Sequence, residues 1–169
     1  MTVLKDVRLQ AIAMLIEELS REIQRTKVAQ SDAMTEAKHH KGAMESRYDT
    51  FKEEAQYLHA GHMKRQVGLE NELALLASFA IRLDEVSKVA SSEITMGSLI
   101  CLDDESGSSQ NYFIVPGGGG RRLDITNIIL TSLGIDSPLA RALIGRVEGD
   151  EVEVTIQGSR KFLLVSSIV

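Results

Sequence analysis

The sequence predicts an α+β chain: a long antiparallel α-helical coiled-coil hairpin at the N-terminus, then a small β-sheet domain with one short helix. Three observations predict it. Residues 3–90 hold no proline and only three glycines, whereas both prolines and the other ten glycines fall in 91–169. The first half repeats apolar residues at alternating steps of four and three. The second half breaks into short apolar runs of strand length, separated by polar or glycine-bearing turns. The change falls near Ser91–Ser92, which divides the chain into a helical part, 1–92, and a sheet domain, 93–169.

Composition bounds the function. An apolar content of 43% supports a packed core, and 4% aromatic residues with no Trp suit long helices better than a bulky aromatic interior. A net charge of -5 gives no general attraction for nucleic acid, and sequence-specific DNA binding is not expected. Cys101 stands alone, which excludes an internal disulfide and a cysteine-based metal site. Lys5, Asp6 and Arg8 near the start, followed by Glu17, Glu18 and Glu22, are unlike a signal peptide. No apolar run approaches membrane-spanning length. A cytoplasmic protein without a membrane partner is expected.

In the first helix Ile12, Ile16, Leu19 and Ile23 form a coiled-coil seam, continued by Thr26, Gln30, Ala33 and Ala37. In the second, Leu69, Leu73, Leu76, Ala80 and Leu83 line the basal half. Phe51, Ala55 and Leu58 line the distal half, with His62 and Arg65 between. The seam is greasy at the base and small or polar toward the tip. Two helices of about 40 residues project a hairpin of about 60 Å.

Between them lies 41–54. Gly42 suits the left-handed residue that closes a helix, and Ser46 with Asp49 three residues on reads as a capping box opening the next. The tip so formed carries Glu45, Asp49, Glu53 and Glu54. A solvent-exposed turn needs no such cluster for stability. Asp49 and Glu53 are one helical turn apart and can share a face, although capping and the helix dipole also favour acids there. Lys38, His39, His40 and Lys41 just before the tip suit the C-terminal end of a helix dipole. His59 and His62 are three apart but lack a third ligand for a metal.

In the second half, 98–102 and 111–115 read as strands, the latter ended by Pro116. Residues 151–156 and 161–165 read as a β-hairpin about Gln157–Arg160. Ser137–Pro138 opens a short helix carrying Leu139, Leu143 and Ile144, ended by Gly145 or Gly149. Pro116 to Arg122, with four consecutive glycines, lacks the Lys-Ser/Thr of a phosphate-binding loop and reads as a flexible connection.

The run Ile135-Asp136-Ser137-Pro138-Leu139-Ala140-Arg141-Ala142-Leu143-Ile144-Gly145-Arg146, followed by Gly149-Asp150-Glu151-Val152, resembles the C-terminal signature of the bacterial transcript cleavage factors GreA and GreB. Lys52-Glu53-Glu54-Ala55-Gln56-Tyr57 is similar to the run after that family's acidic tip. The resemblance implies an FKBP-like fold for 93–169. It also implies a protein that docks on bacterial RNA polymerase at its secondary channel and is not itself an enzyme. Asp136, Ser137 and Pro138 would form the docking turn. The hairpin would enter the channel, where Asp49, Glu53 and Glu45 act at the polymerase active site. There Asp49 and Glu53 would hold Mg²⁺ jointly with the polymerase and promote cleavage at the 3′ end of backtracked RNA. The same family places a loop near the docking face, which offers Arg121 and Arg122 to the polymerase.

The tip departs from the family pattern. The family's two acids are separated by two residues, whereas Asp49-Thr50-Phe51-Lys52-Glu53 is one residue longer. A gap-free alignment from Glu36 puts Gly42 and Glu45 at the two acid positions instead. A regulator that fills the channel without promoting cleavage is the alternative. An FKBP-like fold also raises peptidyl-prolyl isomerase chemistry, which needs an aromatic-lined pocket. This domain offers Tyr112, Phe113 and Phe162.

Overall fold

A computed structural model describes residues 2–39, 48–86, 92–156 and 158–169. Within the helices, side chains are described for 7–31, Tyr57 and 60–83. Gly42, Glu45 and Ser46, and with them the expected capping box, lie outside the described residues.

Helix α1 spans Thr2–His39 and α2 spans Tyr48–Val86. Neither contains proline, and the two glycines of α2, Gly61 and Gly68, lie within regular helix. The basal seam is buried as its periodicity requires: Ile12, Leu19 and Ile23 on α1 meet Leu69, Leu76 and Leu83 on α2. Ile16, Leu73 and Ala80 pack beside them, half covered. A second stripe, Val7, Ala11 and Leu15 at steps of four, is equally buried, and so is Phe79. Two adjacent stripes make an apolar arc wider than a two-helix seam needs. The reason is that the base of the hairpin is covered by the sheet.

That sheet has six strands in the order β3-β4-β2-β1-β6-β5. They are β1 (Leu99–Asp104), β2 (Ser109–Val115), β3 (Arg122–Ile125), β4 (Ile128–Gly134), β5 (Glu151–Ile156) and β6 (Ser159–Ile168). All neighbours are antiparallel except β2 and β4, which run parallel with Asn111 beside Leu130 and Val115 beside Gly134. The sequence reading lacked β3 and β4. They are joined through Thr126 and Asn127, both at positive φ (50° and 67°) without a glycine between the strands. Asn accepts that conformation readily; a β-branched Thr does so rarely, which hides the turn.

Alternate residues of the strands feed two cores. Leu99, Phe113, Val115, Leu123, Ile125 and Leu130 join the cluster of the hairpin base. Ile100, Leu102, Ile114, Leu133, Val152, Val154, Leu163 and Val165 join a second cluster with Ile94 and the short helix α3 (Pro138–Leu143). The sheet therefore separates α3 from the base of the hairpin. The segment after α2 spans both: Met96 packs on the hairpin cluster while Ile94 is fully buried with α3. Ile94 N–H donates to Arg146 O at 2.8 Å, and Ile94 O accepts from Gly145 N–H at 2.9 Å.

Candidate functional site

Three places carry the residues singled out by sequence. The first is the distal hairpin. Past Ile23 on α1 and before Leu69 on α2, the described positions bury no apolar side chain: Val28, Met63 and Val67 are exposed, and Tyr57 is 83% exposed. Thr26 turns its hydroxyl back to Glu22 O at 2.9 Å. The helices are tied there by Lys27–Glu70 at 3.2 Å and Arg65–Glu22 at 2.8 Å. Such exposed, solvent-screened pairs hold little, whereas each large side chain buried at the base contributes about 1.5–3 kcal/mol. The distal hairpin is a weakly held arm on a firmly held root. From Ile23 to the end of α1 it runs about 24 Å at 1.5 Å per residue.

Asp49 and Glu53 both fall within α2, one turn apart and just after its start at Tyr48. The structure therefore keeps them at the tip end of the arm; their side chains lie outside the described residues. His62 is exposed on the same helix.

The second place is the turn into α3. Ser137 caps the helix, its Oγ accepting from Ala140 N–H at 3.2 Å, and Pro138 opens it. The cap backbone is anchored by Ser137 N–H to Gly134 O at 2.9 Å. Leu139, Ala140 and Leu143 face inward. Asp136 faces solvent, its side chain 90% exposed, with an ion pair to the exposed Arg141 at 3.5 Å. Capping and presentation coexist: the buried face of α3 fixes the turn, and Asp136 and Pro138 are left on the surface.

The third place is the glycine loop, and here the reading of a flexible connection is corrected. The loop lies against α2. A Cβ on Gly117 would meet the backbone of Glu72 at 3.1 Å, and one on Gly119 would meet Gly134 N at 2.5 Å. The glycines serve close backbone approach. Gly118 N–H donates to Glu72 Oε2 at 3.0 Å. Ser132, fully buried on β4, donates to Gly118 O at 2.6 Å and accepts from Arg121 N–H at 3.0 Å. Arg121 turns inward onto Glu22 Oε2 at 2.7 Å, with Glu18 at 3.8 Å and Glu72 at 3.9 Å. It is thus engaged by the hairpin and is not held out toward a partner. Arg122, at the start of β3, is exposed. The Arg65 hydrogen bond holds the Glu22 carboxyl below the usual carboxylate range, with Arg121 adding to it and partial burial opposing both. Neither the loop's packing nor Arg121's carboxylate partners were legible in sequence, since Glu18, Glu22 and Glu72 lie far from the loop in the chain.

The three aromatics of the sheet domain do not line one pocket. Phe113 is buried under the hairpin, Tyr112 packs with the α3 cluster, and Phe162 is 43% exposed. No helix among the described residues is long and apolar enough to cross a membrane.

Residues 89–168 match the family model described as transcription elongation factor, GreA/GreB, C-terminal. The chain is 32% identical over 135 residues to the transcription elongation factor GreA of Brucella anthropi, covering 79% of this chain and 78% of that one. It is 38% identical over 119 residues to GreA of Cereibacter sphaeroides, covering 69% and 70%. Among solved structures, GreA factor homolog 1 of Thermus thermophilus aligns over 95% of this chain and 94% of its own at 16% identity and a TM-score of 0.38, too distant a likeness to bear on the assignment. The two curated relatives are matched across most of their length, and on their evidence the chain belongs to the GreA/GreB family of transcription elongation factors.

Proposed function

We propose that this protein binds bacterial RNA polymerase at its secondary channel and stimulates the polymerase's own cleavage of backtracked RNA. The observation that carries the reading is the arm: a polar, lightly tied helical pair projecting from a packed root, with Asp49 and Glu53 at its far end. An arm of that form gains little as a stabilising element and suits entry into a narrow, solvent-filled passage. The turn at Asp136, Ser137 and Pro138 would dock the sheet domain on the channel rim.

Two carboxylates one turn apart cannot complete the six-oxygen shell that Mg²⁺ demands. They fit an ion shared with the polymerase, with Asp49 and Glu53 as the protein's ligands and Glu45 approaching from the turn. When bound, that ion supplies charge neutralisation and an activated water for phosphodiester hydrolysis. The protein's own part is to bring the acids to the polymerase. Alone it would not be an enzyme.

The longer spacing of the tip acids favours a second reading, in which the arm fills the channel and inhibits or modulates the polymerase without promoting cleavage. One experiment separates them: purified protein is added to a stalled, backtracked elongation complex. Shortened RNA supports cleavage stimulation. Slowed elongation or initiation with RNA of unchanged length supports the inhibitor. No effect on either refutes both.

A further inference from the structure

We infer that Arg121 is a positioning residue: the glycine loop clasps α1 and α2 where their packed seam ends and fixes the direction in which the arm carries its tip. The consequence for transcription rests on the function proposed above; the clasp itself is a property of the free protein.

Its place in the fold carries the argument. Ile23 and Leu69 are the last buried apolar residues of the seam toward the tip among the described residues. Glu22 and Glu72 stand at that level on α1 and α2. Arg121 reaches both from the sheet, at 2.7 Å and 3.9 Å. Glu22 also receives Arg65 of α2 at 2.8 Å, so one carboxylate joins the two helices and the sheet domain. Exposed ion pairs hold little, but the Arg121 side chain is only 20% exposed and its planar fork can address several carboxylates at once.

The loop itself is fixed. Gly120 N–H donates to Ser132 O at 2.7 Å, and Ser132 N–H to Arg121 O at 2.8 Å. Ser132, the partner in both bonds, sits on β4, which runs on to Gly134 and the Asp136 turn. A single strand therefore links the clasp to the proposed docking turn. Leverage makes the link matter. A tilt of about 10° at the clasp moves the end of a roughly 24 Å arm by about 4 Å. Misplacement of about 1 Å at a reacting centre can cost on the order of a hundredfold in rate.

The test measures the arm's direction in the free protein. In a Cys101→Ser background, spin labels are placed through Lys64→Cys on the arm and Asp124→Cys on β3, both exposed positions, and their separation is read by pulsed EPR. The parent should give one narrow distance. Arg121→Ala should broaden or shift it, and so should Arg121→Lys, a point charge that cannot span both helices. Glu22→Gln is measured beside them, so that a fold weakened in one variant leaves the test decisive. Distributions equal to the parent's in Arg121→Ala and Glu22→Gln overturn the inference. In transcription, Arg121→Ala should retain polymerase binding in a pull-down yet lose its effect on backtracked complexes even at saturating protein. Full effect restored at saturation would make Arg121 a docking residue and overturn the positioning role. If wild type has no effect on such complexes, the functional reading fails while the distance measurement still decides the clasp.

Discussion

Arg121 and Glu22 lie 99 positions apart in the chain, and Arg121 Nη2 donates to Glu22 Oε2 across 2.7 Å. This contact joins the sheet domain to the middle of α1, and it sets a pH dependence. Arg65 first, then Arg121, hold the Glu22 carboxyl below its ordinary value of 4.5. A carboxylate with a depressed folded-state pKa stabilises the fold at pH above its unfolded value, and that stability is lost as pH falls through the folded value. Melting curves from pH 7 to pH 3 should therefore show Glu22→Gln less stable than wild type at pH 7, with the two converging below the ordinary carboxylate range. Glu18, Glu72, Arg65 and Arg121 face Glu22 in both proteins, and Asp104, depressed by its bond from Ser106, titrates in both. The difference between the curves isolates Glu22. A gap that stays constant across the range would show that its charge does not matter.

The glycine loop makes a prediction opposite to that for a flexible linker. In an open loop, Gly119→Ala would be neutral or mildly stabilising through the unfolded chain. Here the new Cβ would stand 2.5 Å from Gly134 N and 3.0 Å from Gly134 Cα, both backbone atoms. Forcing the loop off β4 should cost about 1–3 kcal/mol, the usual penalty of overpacking. Thermal or denaturant unfolding of the variant measures it. Stability equal to wild type would return the loop to a passive role.

These two cases show where the sequence was legible. The seam positions Ile12, Leu19, Leu76 and Leu83 are buried as their spacing demanded. The start of α3 at Pro138 and its end before Gly145 were fixed by local rules of capping and chain reversal. The second stripe, Val7, Ala11 and Leu15, was overlooked because a heptad reading seeks one stripe per helix. Its burial depends on a sheet that begins 84 residues after Leu15, at Leu99. Strands β3 and β4 were missed because Thr126–Asn127 makes a glycine-free turn. Four glycines in a row look the same whether they give freedom or allow contact, and only the position of Glu72 decides. At the tip, the helical spacing of Asp49 and Glu53 was readable, whereas their role depends on a partner's surface.

The division at Ser91–Ser92 predicts that residues 93–169 fold alone. The α3 cluster lies entirely within them, but Leu99, Phe113, Val115, Leu123, Ile125 and Leu130 would lose the cover of α1 and α2. The fragment should unfold cooperatively at a lower temperature than the full chain and bind an apolar dye more strongly. A fragment without a cooperative transition would contradict the division.

The turn into α3 separates capping from docking. Ser137→Ala removes the bond from Ala140 N–H and should cost about 1 kcal/mol of stability. Asp136→Lys breaks only an exposed pair with Arg141, so its melting curve should stay within about 1 kcal/mol of wild type. If the turn docks on the polymerase, Asp136→Lys should nevertheless weaken binding in a pull-down. Binding that follows stability, falling in Ser137→Ala but not in Asp136→Lys, would remove Asp136 from the interface.

The tip gives the last prediction. Asp49 and Glu53 stand one turn apart at the start of α2, and two like charges at that spacing repel each other in the free protein. A bound cation would relieve the repulsion, but two carboxylates offer too few fixed oxygens to hold Mg²⁺ alone. Titration of the free protein with Mg²⁺ should therefore show weak binding or none at millimolar concentration, and tight binding would make the tip a metal site in its own right. The double change Asp49→Asn with Glu53→Gln keeps shape and removes both charges, and relief of repulsion should leave helix content unchanged or slightly raised. Because the docking turn proposed at Asp136 leads into α3, whose cluster is separate from that of the hairpin base, the double variant should still bind polymerase. It should fail to shorten RNA in a backtracked complex that wild type shortens. Equal cleavage by the two proteins would make these acids structural, a capping and dipole effect at a helix start. If wild type slows the polymerase without shortening RNA, and the double variant slows it equally, the arm acts by filling the channel and the tip carboxylates play no part in chemistry.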